Sequence, residues 1–250
     1  MSVQRSVQDG VNRVLRPIGV QVVRGYSTDP TVTAMMPARR TSAQAREAGL
    51  TVGDYLERGV DPGTTARTLE AMFRLGELGD PVDRICEIGP GAGRYTIPVM
   101  DALRPDVCEV YETAPDWRRY LSELRPSLLA QPADGITLQA TGSASVGLVH
   151  AHKLFGFVPF ATTLCYLTEM ARVVRPGGVV VFDIISEDCL DDDATHAWLS
   201  RPREAANLSV IPRSFVVELL TGRGLELSGS ELVPLGRDLA RTELLAFRRP

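Results

Sequence analysis

From residue 82 onward, short runs of apolar residues alternate with stretches in which apolar positions recur every three or four residues. The short runs predict strands, and the longer period predicts amphipathic helices. We predict strands over residues 82–88, 107–111, 128–131, 146–150, 179–185, 225–233 and 242–248, and helices over 94–103, 116–124, 160–174 and 214–221. Alternation of this kind is typical of βαβ units on a mostly parallel sheet.

The first 62 residues show a different pattern, in which short helical stretches are broken by proline and glycine. Helical spacing over residues 7–15 ends at a proline, and a short strand is predicted over 18–23. Residues 38–48 and 52–58 also favour helices. We therefore divide the chain into a mainly helical extension, residues 1–62, and an α/β domain, residues 63–250, which opens with a helix that begins at Thr64 or Thr65.

The composition of the chain fits a folded globular protein and bears on its partners. Hydrophobic residues make up 44% of the 250 residues and charged residues 23%, with a formal net charge of −4. Proteins that bind nucleic acid normally have a basic balance, so nucleic acid is disfavoured as a partner. No apolar run approaches the roughly 18 residues of a membrane helix. We expect a cytoplasmic protein that does not bind a membrane, with reduced cysteines.

The most informative motif is Ile-Cys-Glu-Ile-Gly-Pro-Gly-Ala-Gly-Arg at residues 85–94, which follows the first predicted strand and opens a helix. Gly89, Gly91 and Gly93 allow a sharp turn and a close approach of a ligand to the backbone. The dinucleotide pattern Gly-x-Gly-x-x-Gly requires a further glycine where Arg94 stands. A nicotinamide-dependent dehydrogenase is therefore disfavoured.

Two further features support a nucleotide-like cofactor at this loop. Glu112 ends the second predicted strand, 19 residues after Gly93, where a carboxylate can accept hydrogen bonds from both hydroxyls of a ribose. The stretch at residues 167–182 runs from a helix through Arg-Pro-Gly-Gly into an apolar strand. With the Glu-x-Gly-x-Gly-x-Gly form of the loop, these features resemble class I S-adenosylmethionine-dependent methyltransferases, over about residues 64–250.

The resemblance implies a Rossmann-like, seven-stranded, mostly parallel sheet with an antiparallel last strand and a helical lid region. It also implies S-adenosylmethionine as cofactor, with its methionine and ribose parts cradled by the three glycines. Glu87 then lies at the methionine amino group and Glu112 at the ribose. Asp134 and Gly135 follow the third predicted strand, where the family binds the adenine amino group. Trp117 either stacks on the adenine or packs a helix against the sheet.

Two of the three histidines stand where the fourth predicted strand ends, at His150 and His152. Ligands meet a sheet of this architecture at the carboxyl ends of its strands, and alternating residues of a strand point the same way. We predict that His152, or else His150, is the general base for a hydroxyl acceptor. His150 is also placed among the cofactor-binding residues. Lys153 is either a substrate contact or a surface residue.

Several acidic residues follow the fifth predicted strand and raise the question of a metal. Asp183, Glu187 and Asp188 are the candidate ligands for a magnesium ion, and a solvated acidic loop is the alternative. Asp191, Asp192 and Asp193 add charge to the same region.

The acceptor is indicated mainly by resemblance. Gly-Leu-Val-His-Ala-His at residues 147–152 and the segment at residues 12–24 resemble sugar O-methyltransferases of methylmannose-polysaccharide synthesis. This implies in-line methyl transfer to a hydroxyl of a sugar or oligosaccharide, with the extension covering the acceptor. The alternatives are another natural product, a macromolecular acceptor, or a cofactor-binding subunit without catalysis. A homodimer is compatible with the sequence.

Overall fold

Seven strands form one sheet in the computed structural model, which describes residues 37–59, 62–200, 208–235 and 241–250. The strands are β1 Arg84–Ile88, β2 Val107–Tyr111, β3 Leu128–Ala130, β4 Val146–Ala151, β5 Val174–Ile184, β6 Glu226–Pro234 and β7 Arg241–Arg248. Their order in the sheet is β3-β2-β1-β4-β5-β7-β6. Six strands run in one direction, and β7 runs antiparallel between β5 and β6. The predicted Rossmann-like fold is confirmed.

Eight α-helices surround the sheet within the described ranges. They are α1 Ala38–Glu47, α2 Val52–Arg58, α3 Thr64–Leu75, α4 Thr96–Leu103, α5 Pro115–Leu124, α6 Phe160–Val173, α7 Asp192–Ser200 and α8 Arg213–Thr221. The longest of these has 14 residues, and none of the described helices has the length and apolar character of a membrane span. The helix predicted over 7–15 and the strand predicted over 18–23 lie outside the described residues.

Two elements differ from the sequence pattern. β5 begins at Val174 rather than at residue 179, because Val174 already pairs with Val146 on β4 before the register shifts. The acidic run expected as a loop opens α7 instead. Asp191 Oδ1 accepts a hydrogen bond of 2.8 Å from the backbone N–H of Ala194, and acidic residues stabilise the first turn of a helix.

The central strand β5 is buried on both faces, as its continuous apolar run predicted. Successive residues alternate between two cores, so that Val180 and Phe182 pack with Phe247 on one face. Val179 and Val181 lie in the core on the other face. Burial on both faces fixes the position of this strand, and the candidate site lies at the carboxyl end of the same sheet.

The described part of the extension is helical and lies over α5 and the glycine loop. Ala38 and Val52, from α1 and α2, pack with Ala92 of the loop around the indole of Trp117. The backbone N–H at the start of α1 donates a hydrogen bond of 2.6 Å to Asp116 Oδ2. The next helix, α3, packs instead on β6 and β7. The described helices that precede β1 therefore pack on α5 and the glycine loop in one place and on β6 and β7 in another.

Candidate functional site

The glycine loop between β1 and α4 uses a backbone conformation that favours glycine at three positions. The φ angles are 66° at Gly89, 54° at Gly91 and 78° at Gly93. A Cβ atom would lie 3.0 Å from side-chain carbons of Leu154 at the first position and 3.0 Å from Leu121 Cδ2 at the third. Two of the glycines thus let the protein's own side chains pack against the loop, a role that the sequence pattern did not indicate.

Glu112 anchors this loop from the end of β2. Its Oε2 accepts a hydrogen bond of 2.9 Å from the N–H of Gly91, and its Oε1 accepts one of 2.8 Å from Ala114. Burial raises the pKa of Glu112, and these two backbone hydrogen bonds oppose the rise. Each carboxylate oxygen has a second lone pair, so the group can still accept two hydroxyl hydrogen bonds.

Because the sequence predicts a ribose of the cofactor at Glu112, we expect Glu112→Ala to weaken binding of S-adenosylhomocysteine by about 1.5–3 kcal/mol, the cost of losing hydrogen bonds to a charged group. The variant also releases the N–H of Gly91, which adds to the loss. Calorimetric titration measures the effect, with Glu123→Ala, an exposed acid on α5, as the control. Equal affinities of the Glu112 and Glu123 variants would contradict this role.

A buried pair of polar side chains, Glu87 and His150, lies where β1 and β4 end. The two residues are register partners on adjacent strands, and His150 Nε2 lies 3.9 Å from Glu87 Oε2. Within the described residues, Glu87 Oε2 and both ring nitrogens of His150 have no hydrogen-bond partner. Buried polar atoms normally have partners, so this pair suits a ligand that carries hydrogen-bond donors.

Burial also sets the protonation of the pair. It raises the pKa of Glu87 to about 8, because desolvation penalises the carboxylate. It lowers the pKa of His150 well below its ordinary value, and His152 adds to that effect. In the ligand-free protein near neutral pH, Glu87 therefore keeps a proton and His150 is neutral. A cationic group beside Glu87 would favour its ionised form.

His152 packs among other side chains. Its ring centroid lies 4.6 Å from that of Tyr95, and its Nε2 lies 3.2 Å from Met72 Sδ. Burial, with a contribution from Lys153, lowers the pKa of His152 to about 3. An imidazole with so low a pKa holds an accepted proton weakly, so this environment does not favour a general base. The base assignment of His152 and His150 stays a prediction from the sequence.

A second polar cluster at the carboxyl end of the sheet joins β4, β5 and β7. Lys153 Nζ lies 2.8 Å from Asp183 Oδ2 and donates a hydrogen bond of 2.7 Å to Thr242 Oγ1. Thr242 in turn donates one of 2.5 Å to Asp183 Oδ2. Sequence reasoning missed Thr242, because only the antiparallel position of β7 brings it beside β5.

The predicted magnesium site is not supported. In the described ranges, no three residues of the types His, Cys, Asp and Glu come together as a metal site. Asp183 is bound by the lysine ammonium. Glu187 and Asp188 are exposed, and Glu187 accepts a hydrogen bond of 2.9 Å from the backbone N–H of Arg213.

The residues predicted at the adenine are engaged by the protein itself. Asp134 is exposed, and its oxygens accept hydrogen bonds of 2.9 Å from Ile136 N–H and of 2.7 and 2.6 Å from the N–H and hydroxyl of Thr137. Gly135 has a φ of 85°, which explains the glycine in this turn. Trp117 is 1% exposed beneath α1 and α2. Their roles at adenine stay predictions from the sequence.

Comparison with solved structures places this fold among methyltransferase structures. A complex of the Haloferax volcanii methyltransferase activator Trm112 with a protein described as a methyltransferase matches with a TM-score of 0.61, at 15% identity, over 86% of this chain and 99% of the other. The N-methyltransferase NodS from Bradyrhizobium japonicum WM9, bound to S-adenosylhomocysteine, matches with a TM-score of 0.59, at 16% identity, over 84% and 98% of the two chains.

A third match is geranyl diphosphate C-methyltransferase from Streptomyces coelicolor A3(2), bound to Mg²⁺, geranyl diphosphate and S-adenosylhomocysteine. Its TM-score is 0.55, at 15% identity, over 74% of this chain and 77% of the other. No family model matches this sequence, and a search of curated proteins found no match. The comparisons therefore show the fold, while the named proteins methylate different kinds of atom.

Proposed function

We propose that this protein is an S-adenosylmethionine-dependent O-methyltransferase of the cytoplasm, which methylates a hydroxyl of a small molecule. The buried, unpartnered Glu87 Oε2 beside the glycine turn carries the proposal. Glu112, anchored to Gly91 at the end of the next strand, supplies a second acceptor group at the same edge. Carboxylates in these places match the two polar ends of an amino-acid-bearing nucleoside.

The residues present fit this cofactor. Glu87, with neutral His150 beside it, would accept a hydrogen bond from the methionine ammonium group. Glu112 would accept hydrogen bonds from the ribose hydroxyls. S-adenosylmethionine supplies a methyl group on a positively charged sulfur. The protein's task is then to hold the acceptor oxygen in line with that methyl group and to keep water from attacking the methyl group in its place. The extension at residues 1–62 is proposed to cover the acceptor, and α1 and α2, from its described part, lie over the loop.

A sugar, in the first place a mannoside of polysaccharide biosynthesis, is the proposed acceptor. The resemblance of residues 147–152 is the main support. Exposed aromatic rings near the end of β4 provide further support, since Phe157 and Phe160 are each 42% exposed. Flat aromatic faces can pack against the C–H groups of a sugar ring. Phe155, by contrast, is fully buried in the core.

Parallel calorimetric titrations with S-adenosylmethionine, S-adenosylhomocysteine and NADH test the cofactor. We expect the two sulfur nucleotides to bind and NADH not to bind. Tritiated S-adenosylmethionine then tests the acceptor, with methyl α-mannoside in one arm and the polymers of a cell lysate in the other. Label in polymer alone would favour a macromolecular acceptor, and binding of NADH alone would refute the cofactor assignment.

His152→Ala distinguishes a catalytic imidazole from a packing one. Loss of a general base typically lowers turnover about 10²–10⁴-fold with unchanged cofactor affinity. Because the pKa of this imidazole is about 3 and its ring packs on Tyr95, we expect a fall below about 100-fold, together with a lower Tm. A larger fall at unchanged Tm would establish His152 as the base. Turnover and thermal unfolding are measured on the same preparation.

A further inference from the structure

Lys153, the only lysine among the 250 residues, is held by one carboxylate at both ends. Its backbone N–H donates a hydrogen bond of 2.7 Å to Asp183 Oδ1, and its Nζ lies 2.8 Å from Asp183 Oδ2. Its φ is 54°, a left-handed conformation that is uncommon for a residue with a side chain. The backbone is thus bent so that the ammonium group folds back onto Asp183.

The hydrogen bonds of this cluster leave one lysine proton unassigned. The Thr242 hydroxyl has a single hydrogen, which it donates to Asp183, so it must accept from Lys153. An ammonium group has three N–H donors, of which Asp183 and Thr242 take two. Within the described residues no acceptor is found for the third. The lysine side chain is 12% exposed, so this donor can reach a ligand.

The neighbours of Lys153 on the chain place it at the candidate site. The ring centroid of His152 lies 5.2 Å from that of His150, whose Nε2 is the atom that lies 3.9 Å from Glu87 Oε2. On the other side, Leu154 packs against Gly89 of the glycine loop. Consecutive Cα atoms are about 3.8 Å apart. Lys153 therefore lies next to His152, which contacts the Glu87–His150 pair, and next to Leu154, which contacts the glycine loop.

The charges around the ammonium group nearly balance. Asp183 favours the charged lysine, while Arg94 disfavours it and burial lowers the pKa of Lys153 overall. Arg94 is itself 3.8 Å from Glu57. Each of these two cations thus has a carboxylate partner, which does not favour an acceptor with a full negative charge. A hydroxyl oxygen that becomes negative only during the reaction is the better match.

We infer that Lys153 is a catalytic residue that donates its third ammonium N–H to the acceptor oxygen. Asp183 and Thr242 are positioning residues that hold it. The acceptor oxygen forms the new C–O bond, the C–S bond of the sulfonium breaks with its electron pair kept by sulfur, and the hydroxyl proton passes to water. The ammonium stabilises negative charge on the oxygen as that proton leaves. The inference rests on the proposed O-methyl transfer and names the group that selects a hydroxyl acceptor.

Selective ¹³C-labelling of lysine tests the placement without a known acceptor, because it gives a single Cε resonance. We expect the resonance of an ammonium form at pH 7, and a shift of that resonance when S-adenosylhomocysteine is added to saturation. A neutral amine at pH 7 would overturn the inference, because a neutral amine cannot supply the three donors. A resonance that does not respond to bound S-adenosylhomocysteine would also overturn it.

Two variants test the chemistry with methyl α-mannoside as acceptor. Lys153→Met removes the ammonium group and keeps an unbranched side chain of nearly the same length, and we expect kcat to fall about 10²–10³-fold with unchanged affinity for S-adenosylhomocysteine. Lys153→Arg restores a donor and should recover part of kcat. Arg119→Met, which removes an exposed cation on α5, is the matched control.

The outcomes separate this inference from the proposed function. Wild-type turnover by Lys153→Met refutes the lysine role and leaves the methyltransferase assignment intact. Absence of sulfur-nucleotide binding by the wild-type protein refutes the assignment itself, and the inference with it. If methyl α-mannoside is not methylated, the lysine resonance still tests whether Lys153 lies at the cofactor site. A shift on adding S-adenosylhomocysteine supports that position, and no shift overturns the inference.

Discussion

Replacing Gly91 with valine is expected to lower the affinity for S-adenosylmethionine by about 100-fold or more. Gly91 has a φ of 54°, and its N–H is held 2.9 Å from Glu112 Oε2. A branched side chain is strained in this conformation, and relief of the strain turns the peptide and breaks that hydrogen bond. The same side chain would occupy space that the proposed cofactor needs. Calorimetric titration measures the loss.

A second glycine provides a matched control for backbone strain. Gly177 has a φ of 77° and lies in β5 before its buried part. A Cβ atom at this position would meet no other atom within 4 Å. Gly177→Val should therefore share the strain of the Gly91 variant and keep cofactor affinity. If both variants lose affinity equally, the effect comes from general destabilisation and not from the loop.

Glu87→Gln is expected to change how stability depends on pH. Burial raises the pKa of Glu87 from 4.5 to about 8, so between these values the folded protein keeps a proton that the unfolded chain has released. The contribution of Glu87 to the stability of the wild-type protein therefore falls as pH rises through this window. The two buried histidines act in the opposite direction, because their unfolded imidazoles bind protons that the folded ones do not, but they do so in both proteins and therefore cancel in the comparison. From pH 6.5 to 8 we expect a loss of about 1.5–2 kcal/mol that the variant lacks.

Urea unfolding at pH 6.5 and 8 measures this difference on ligand-free protein. The same slope with pH in both proteins would show that Glu87 is already ionised. Binding provides an independent readout, since an ammonium group beside Glu87 should lower its pKa and release about one proton near pH 7. Calorimetry in buffers of different ionisation enthalpy counts that proton. The Gln variant should release none.

Periodicity predicted the sheet well, because burial of strands on both faces leaves a strong signal in the sequence. The strand at Val107–Tyr111 was predicted at its observed bounds. The start of β5 was missed, because Arg-Pro-Gly-Gly reads as a turn and only its pairing with β4 makes it a strand. The helix α7 was missed because acidic residues signal a loop as readily as a helix start.

The positions of the candidate site residues were predictable where a residue lies near the end of its own strand. Glu87 and Glu112 could be placed at the carboxyl edge of the sheet because each lies within one residue of the end of a strand. The surroundings of His152 could not be foreseen, since they depend on Met72 from α3 and on Tyr95 from the turn before α4. The lysine cluster likewise depends on Thr242, which is 89 residues from Lys153 along the chain.

The place of β7 in the sheet has a consequence for how the protein forms during synthesis. β6 is translated before β7, yet its only neighbour among the described strands is β7, which separates it from β5. Until β7 has left the ribosome, one edge of β5 is unpaired and β6 has no strand to pair with. Exposed strand edges of this kind promote aggregation of partly made chains. Slow translation of residues 235–241 would prolong that vulnerable interval, so codon choice in this short segment should affect the yield of folded protein.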